Sequence, residues 1–350
     1  MILSLLLHNI RKRLDPFILN NRERKMEIRR FVGIGVAAVA FAACNESVEE
    51  RINTVYEEEG RKKETFSATD KYGPLKVKVG EFVGESKVKP WSAWWYPLNE
   101  RTLFYKTTGG SSPLEKYDYY SGRMFNVFSE AARYEEQELY RPNEVGWAGL
   151  CHAWAIASVL HPEPKEAKTI GGVKWSVGDQ KALLLKTYEK AGGIAEIMIG
   201  DRFNGDRNDD YDDIYPDQFH KLVQNHLVEN STPFLMDYDP RFPVWTVPVY
   251  KVKFLIEKLN NTSAKVRAYI TFASPHVDDH NYVGTKRVVK TYDYILTGQW
   301  ANGTLNVTDG EWIEASKNDH PDYLIAFPSS IERGSLNKEI NYEIVDSILK

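Results

Sequence analysis

At 350 residues, with 42% hydrophobic and 27% charged residues, the chain has an ordinary globular balance and is long enough for one large domain or two smaller ones. A net charge of -4 gives no reason to expect nucleic acid as a partner. The 9 Trp and 20 Tyr suit either a β-rich core or a cleft that binds a polymer.

In chain order, residues 1–25 read as an upstream mis-start. From Met26 the sequence has the parts of an export signal: basic Arg29 and Arg30, an apolar run from Phe31, and small residues up to Ala43. The run is too short for an ordinary transmembrane helix. Its end, Phe41-Ala42-Ala43-Cys44, resembles a bacterial lipobox, in which the cysteine carries lipid and becomes the first residue. The alternative is a general secretory signal cleaved nearby. Residues 26–44 are thus expected to be a lipoprotein signal peptide and 45–68, polar and acidic, a flexible tether. Residues 69–350 are then one catalytic domain. The chain has 2 Cys. With Cys44 lipidated, Cys151 is the lone thiol of an exported, membrane-anchored protein, a liability in an oxidising compartment unless it does chemistry.

Within the domain, Leu75–Gly80 alternates and predicts a strand. Trp91, Trp94, Trp95 and Tyr96 between Pro90 and Pro97 predict an ordered loop against the core or along a cleft. Residues 113–140 read as one or two helices. The run after Cys151 reads as a helix ending near His161-Pro162, since proline cannot continue it. Asp179 is expected to cap a helix from Gln180 to Ala191. Residues 201–217 are acidic. Asp206, Asn208, Asp210 and Asp212 imitate the start of an EF-hand, but Tyr211 replaces the required glycine and Asp217 the final glutamate. A looser calcium site and a solvated acidic loop remain the two readings. Pro216 opens a helix to Leu227, and Pro233–Asp239 is a short strand. Val244–Phe254, Lys265–Phe272, Val288–Leu296 and Thr304–Val307 then alternate with period two. Helices first and an antiparallel sheet afterwards predict an α+β fold.

Gly146-Trp147-Ala148-Gly149-Leu150-Cys151-His152-Ala153-Trp154 sets the thiol at the first turn of its helix, where the helix dipole favours the thiolate. The competing reading is a buried structural cysteine. A nucleophilic thiol needs a base, and usually a carboxylate or amide to orient that base. His152 is about 100° around the helix from Cys151 and is set aside. His220, with Asp237 following on a strand, is the expected base and orienting acid. His320 and Asp239 are the alternatives.

These pieces together resemble the transglutaminase elicitor family, typified by oomycete cell-wall transglutaminases and shared by bacterial relatives. The early aromatic motif is matched by Pro90-Trp91 and Trp95-Tyr96-Pro97, and the cysteine motif by Gly146–Ala155 with Pro162-Glu163-Pro164. Val177–Leu184, Pro216 with Phe219-His220, Val244–Val249, Gly310-Glu311-Trp312 and His320-Pro321-Asp322-Tyr323 follow in the family's order. Three features depart from it. No cysteines flank the acidic loop, Trp245-Thr246-Val247-Pro248 stands for the elicitor peptide's Trp-Asn-Gln-Pro, and the acidic residue expected near Thr297-Gly298 is missing.

The resemblance implies a papain- or transglutaminase-like core with the nucleophile at a helix start packed on an antiparallel sheet. It also implies protein-glutamine γ-glutamyltransferase chemistry. Cys151 would form a thioester with a glutamine side chain and pass the acyl group to a lysine amine, with protein substrates as partners. Family members can require calcium, which would give the acidic loop a role. The rivals are a cysteine protease, amidase or deamidase, in which water replaces lysine, and a non-catalytic envelope lipoprotein.

Overall fold

The structure is a computed structural model that describes residues 71–106, 110–192, 198–200, 214–237, 246–326 and 331–350. Cys44, the signal peptide, the tether, most of the acidic loop (201–213), Asp239 and Trp245 lie outside the described residues. No helix among the described residues is long and apolar enough to cross a membrane.

The strands expected from the sequence form one antiparallel sheet together with three more, Gly80–Glu85, Met198–Gly200 and Tyr323–Ala326. In chain order they are β1 (Lys76–Lys78), β2 (Gly80–Glu85), β5 (Met198–Gly200), β6 (Phe234–Asp237), β7 (Thr246–Lys258), β8 (Ser263–Ala273), β9 (Arg287–Ala301), β10 (Thr304–Trp312) and β11 (Tyr323–Ala326). They pair in the order β1-β10-β9-β8-β7-β6-β11-β5, with β2 also on β7. A separate hairpin joins β3 (Lys168–Ile170) to β4 (Val173–Trp175).

The helices are α1 (Pro113–Phe125), α2 (Ala131–Tyr134), α3 (Cys151–Leu160), α4 (Val177–Lys186), α5 (Pro216–Val223) and α6 (Tyr342–Leu349). The α4 start differs from expectation. Ser176, not Asp179, is the N-cap, and Asp179 sits three residues in, where its carboxylate takes the cap's backbone N–H. Every residue of α4 is buried, the lysines included. It packs against α1, α3 and α6, which leaves it no solvent face. Lys181 Nζ therefore meets Glu163 Oε1 and the carbonyls of Ser92 and Tyr282, each at 2.8 Å. Lys186 meets Glu135 at 2.7 Å and Glu189 at 2.6 Å. Buried ammonium groups need such partners because desolvation is so costly.

The register assigns side chains to the two faces of the sheet. Residues paired directly across antiparallel strands project from the same face, and neighbours along a strand from opposite faces. Leu324 pairs with Met236, and Met236 with Val247, so these three share one face. Asp237 pairs with Thr246, and both lie on the other face, with Tyr323 beside Leu324. The two faces carry different helices. On the Met236 face, Phe219 of α5 meets Tyr292 at 5.4 Å between ring centroids, and the Tyr292 hydroxyl points to Met236 Sδ at 4.0 Å. On the Thr246 face, α3 packs on β7, with His152 Nδ1 3.4 Å from Thr246 Oγ1.

Candidate functional site

Cys151 is the first residue of α3, as its sequence context predicts. The loop before it is built for close approach. Leu150 N–H donates to the Trp95 carbonyl at 2.6 Å, and Leu98 N–H to the Ala148 carbonyl at 2.8 Å. Trp95 Nε1 reaches the Gly146 carbonyl at 3.2 Å. A Cβ on Gly149 would stand 2.7 Å from the Trp95 carbonyl and 2.8 Å from its indole, so only glycine lets the two segments touch.

The aromatic segment 90–98 is thus a strap across the cysteine loop, pinned along its length. Trp154 Nε1 donates to the Trp91 carbonyl at 2.8 Å. Tyr96 OH donates to the Gly178 carbonyl at 2.9 Å. Ser92 binds the β8–β9 connection through Gly284 and Lys286. That connection supplies two imidazoles to the strap. His276 stands edge-on to Trp95 at 5.0 Å, and His280 lies against Trp94 at 4.9 Å and Tyr96 at 5.4 Å.

The electrostatics run against the expectation for the resting thiol. Burial pushes the Cys151 thiol up to about 12, and hydrogen bonding from its own backbone N–H opposes this only in part. Desolvation outweighs the helix start because the thiol is nearly sealed, at 6% exposure. The resting thiol is therefore protonated at neutral pH, and attack needs a base at the moment of reaction.

The structure does not bring the sequence-predicted partners together. Asp237 ends β6, fully buried, on the α3 face beside Thr246. Thr246 Oγ1 also lies 3.2 Å from the Tyr323 hydroxyl, so these two side chains and His152 form a polar row under the start of α3.

His220 is on the other face. Its Nδ1 is 2.7 Å from the Tyr294 hydroxyl, and its ring stacks on Phe254 at 4.2 Å. Tyr294 projects from the same face as Tyr292, two residues away on β9, so the sheet lies between His220 and α3. Burial, with Lys221 adding to it and a hydrogen bond to Gln224 opposing, lowers this imidazole to about 3. His320 also belongs to the aromatic cluster on that face. It stacks on Trp312 at 5.2 Å, which in turn meets Phe219 at 5.4 Å, and its Nδ1 lies 2.9 Å from the Ser316 carbonyl.

Two histidines that the sequence reading set aside or left unassigned stand on the thiol's side. His152 faces the polar row. His276 follows β8 and is solvent-exposed. Partial desolvation and the Lys286 ammonium lower its pKa. The signal that could have found it is its place just past a strand, opposite the Trp-rich segment.

Among the described residues no group of three or more His, Cys, Asp or Glu side chains is arranged to hold a metal ion.

The family description transglutaminase elicitor matches residues 129–284. That span holds the cysteine loop, the polar residues of β6 and β7, and His276. The crystal structure of the GP42 transglutaminase from Phytophthora sojae is similar to this chain, with a TM-score of 0.60 and 20% identity. The likeness covers 80% of this chain and 95% of that one, and at this identity it is a likeness of fold. No curated protein matches the chain.

Proposed function

From a chain that belongs to the transglutaminase elicitor family, we propose a protein-glutamine γ-glutamyltransferase whose nucleophile is Cys151. The observation that carries the reading is the placement of this thiol at the start of α3, under the aromatic strap and beside the polar row of the sheet. Cys151 Sγ attacks a glutamine carboxamide carbon as its proton passes to a base. The tetrahedral intermediate expels ammonia, which takes a proton from that base, and leaves a thioester. A lysine amine on the second protein then attacks the thioester and restores the thiol, forming an isopeptide bond. Backbone N–H groups at the α3 start stabilise the oxyanion.

The base in this reading is His276 rather than His220, because it is exposed on the strap's side of the sheet. Asp237 is the carboxylate that supports the site. Trp95 and Trp147 exclude water, which favours amine over hydrolysis. The core is then papain- or transglutaminase-like. The Met26–Cys44 segment delivers the domain as an exported lipoprotein held to a membrane by a lipid on Cys44.

The test is incorporation of a fluorescent primary amine into a glutamine-rich protein, with and without calcium. The Cys44→Ala chain should incorporate amine, and addition of Cys151→Ala should reduce the rate by about a thousandfold or more. Ammonia release or cleavage without incorporation would move the reading to a hydrolase. A folded chain with no activity of either kind would sink it.

A further inference from the structure

Away from the thiol, one surface combines a lysine-lined cavity with a fixed apolar tip. The cavity, about 470 Å³, is lined by Lys106, Ser111, Lys116, Tyr119, Gly172 and Lys174, among others, and no carboxylate lines it among the described residues. Lys116 is held by Asp179 at 2.5 Å, whereas Lys106 and Lys174 are exposed. In a chain of net charge -4, this is a local concentration of positive charge.

The rim continues into the end of α1. Arg123 donates to the Tyr119 hydroxyl at 2.7 Å. The β3–β4 turn closes over Met124: a Cβ on Gly171 would stand 2.8 Å from its side chain. Beyond α1 the chain turns through Asn126, in the left-handed region at φ 53°, and presents Val127 and Phe128. Phe128 is 83% exposed, and Met124, Phe125 and Val127 are between 41% and 49% exposed.

Phe125 packs edge-on against Tyr120 at 5.8 Å, and hydrogen bonds hold the rest of the tip. Asp118 accepts from Ser129 Oγ at 2.6 Å and from the N–H groups of Ala131 and Ala132 at 2.7 and 3.0 Å. Val127 N–H donates to the Ser121 carbonyl at 3.2 Å. The backbone of the loop is thus ordered before binding, while its apolar side chains remain in water.

We propose that this surface docks on an anionic phospholipid bilayer, with lipid phosphates at the lysine cavity and Phe125, Val127 and Phe128 in the interface. Charge complementarity selects the occupant. An apolar tip alone would suit many partners, but one with Arg123 and a lysine-lined cavity on one side, and with Asp118, Glu130 and Glu339 engaged in hydrogen bonds or an ion pair on the other, matches a headgroup layer over acyl chains.

The full chain with Cys44→Ala, to which no acyl group can attach, would be sedimented with phosphatidylcholine vesicles with and without phosphatidylglycerol. Apolar residues 31–43 favour both vesicle types and the basic residues before them favour phosphatidylglycerol, so the change in that preference between the parent chain and the lysine variant is the readout. That preference should be clear. Lys106→Gln with Lys174→Gln should lower affinity for the anionic vesicles by about 25-fold, from roughly fivefold per surface charge. Phe128→Ser should lower it by about tenfold, and neither change should alter the circular dichroism spectrum. Equal binding to both vesicle types, or an unchanged preference in the double lysine variant, would overturn the proposal. Lysine-dependent binding of inorganic phosphate without vesicle preference would also overturn it, in favour of a small-anion site.

Discussion

The two faces of the sheet treat their histidines in opposite ways. On the α5 face, His220 is sealed between Phe254 and Tyr294, His320 lies flat on Trp312, and His220 is held neutral down to about pH 3. On the α3 face, His152 meets a threonine hydroxyl and His276 stands edge-on to Trp95 while open to solvent. The first arrangement fills a core, because an imidazole shut away from solvent among aromatic neighbours packs as one more ring. The second leaves an imidazole open to water beside the strap, as the proposed base requires. A histidine's neighbours in space, and not its place in a motif, separate these roles.

The largest effect expected of this contrast is at the thiol itself. With Cys151 pushed to about 12, its alkylation by iodoacetamide at pH 8 should be about a thousandfold slower than that of a free cysteine near 8.5. Trp95→Ala, which opens the strap, should recover much of that rate. A wild-type rate equal to that of free cysteine would show the strap open in solution.

Next come the imidazoles. His276→Gln should lower amine incorporation by about a hundredfold or more with little change in stability, and Asp237→Asn should also lower it. His220→Gln should do the reverse, costing about 2 kcal/mol of stability by leaving the buried Tyr294 hydroxyl poorly partnered, with activity per folded molecule largely kept. Urea melts beside initial rates would check both. A His220 variant that folds normally and is inactive would reverse the assignment.

Acid stability tests the same contrast from the α5 side. His220 is lowered to about 3 and His226 to about 4, both mainly by burial. Near pH 6.5 and below, the unfolded chain takes up protons that the folded chain cannot, so acid favours unfolding. Stability from these groups is present above pH 6.5 and is lost as pH falls toward 4 and 3, by about 1.4 kcal/mol per pH unit for each imidazole. A urea midpoint that does not move between pH 6.5 and 4.5 would count against sealed imidazoles on the α5 face.

Much was legible in the sequence because it depends on neighbours along the chain. Period-two alternation marked the long strands from Thr246 to Trp312. Small residues before Cys151 and prolines after His161 bounded α3. The ordered motifs pointed to the family. Other features depended on which segments meet in space. The sheet register set Asp237 on the α3 face, and the packing of α5 set His220 on the other, though both stand in one short stretch. Immersion of α4 on all sides buried Lys181 and Lys186, which a helical pattern alone reads as solvated. Closure of the strap over Gly149 sealed the thiol, so burial overrode the helix start that favours its charge. Local sequence determined the elements and the position of the cysteine. Only tertiary packing decided which groups keep access to water, because desolvation depends on every segment that covers a group and not on its own neighbours in the chain.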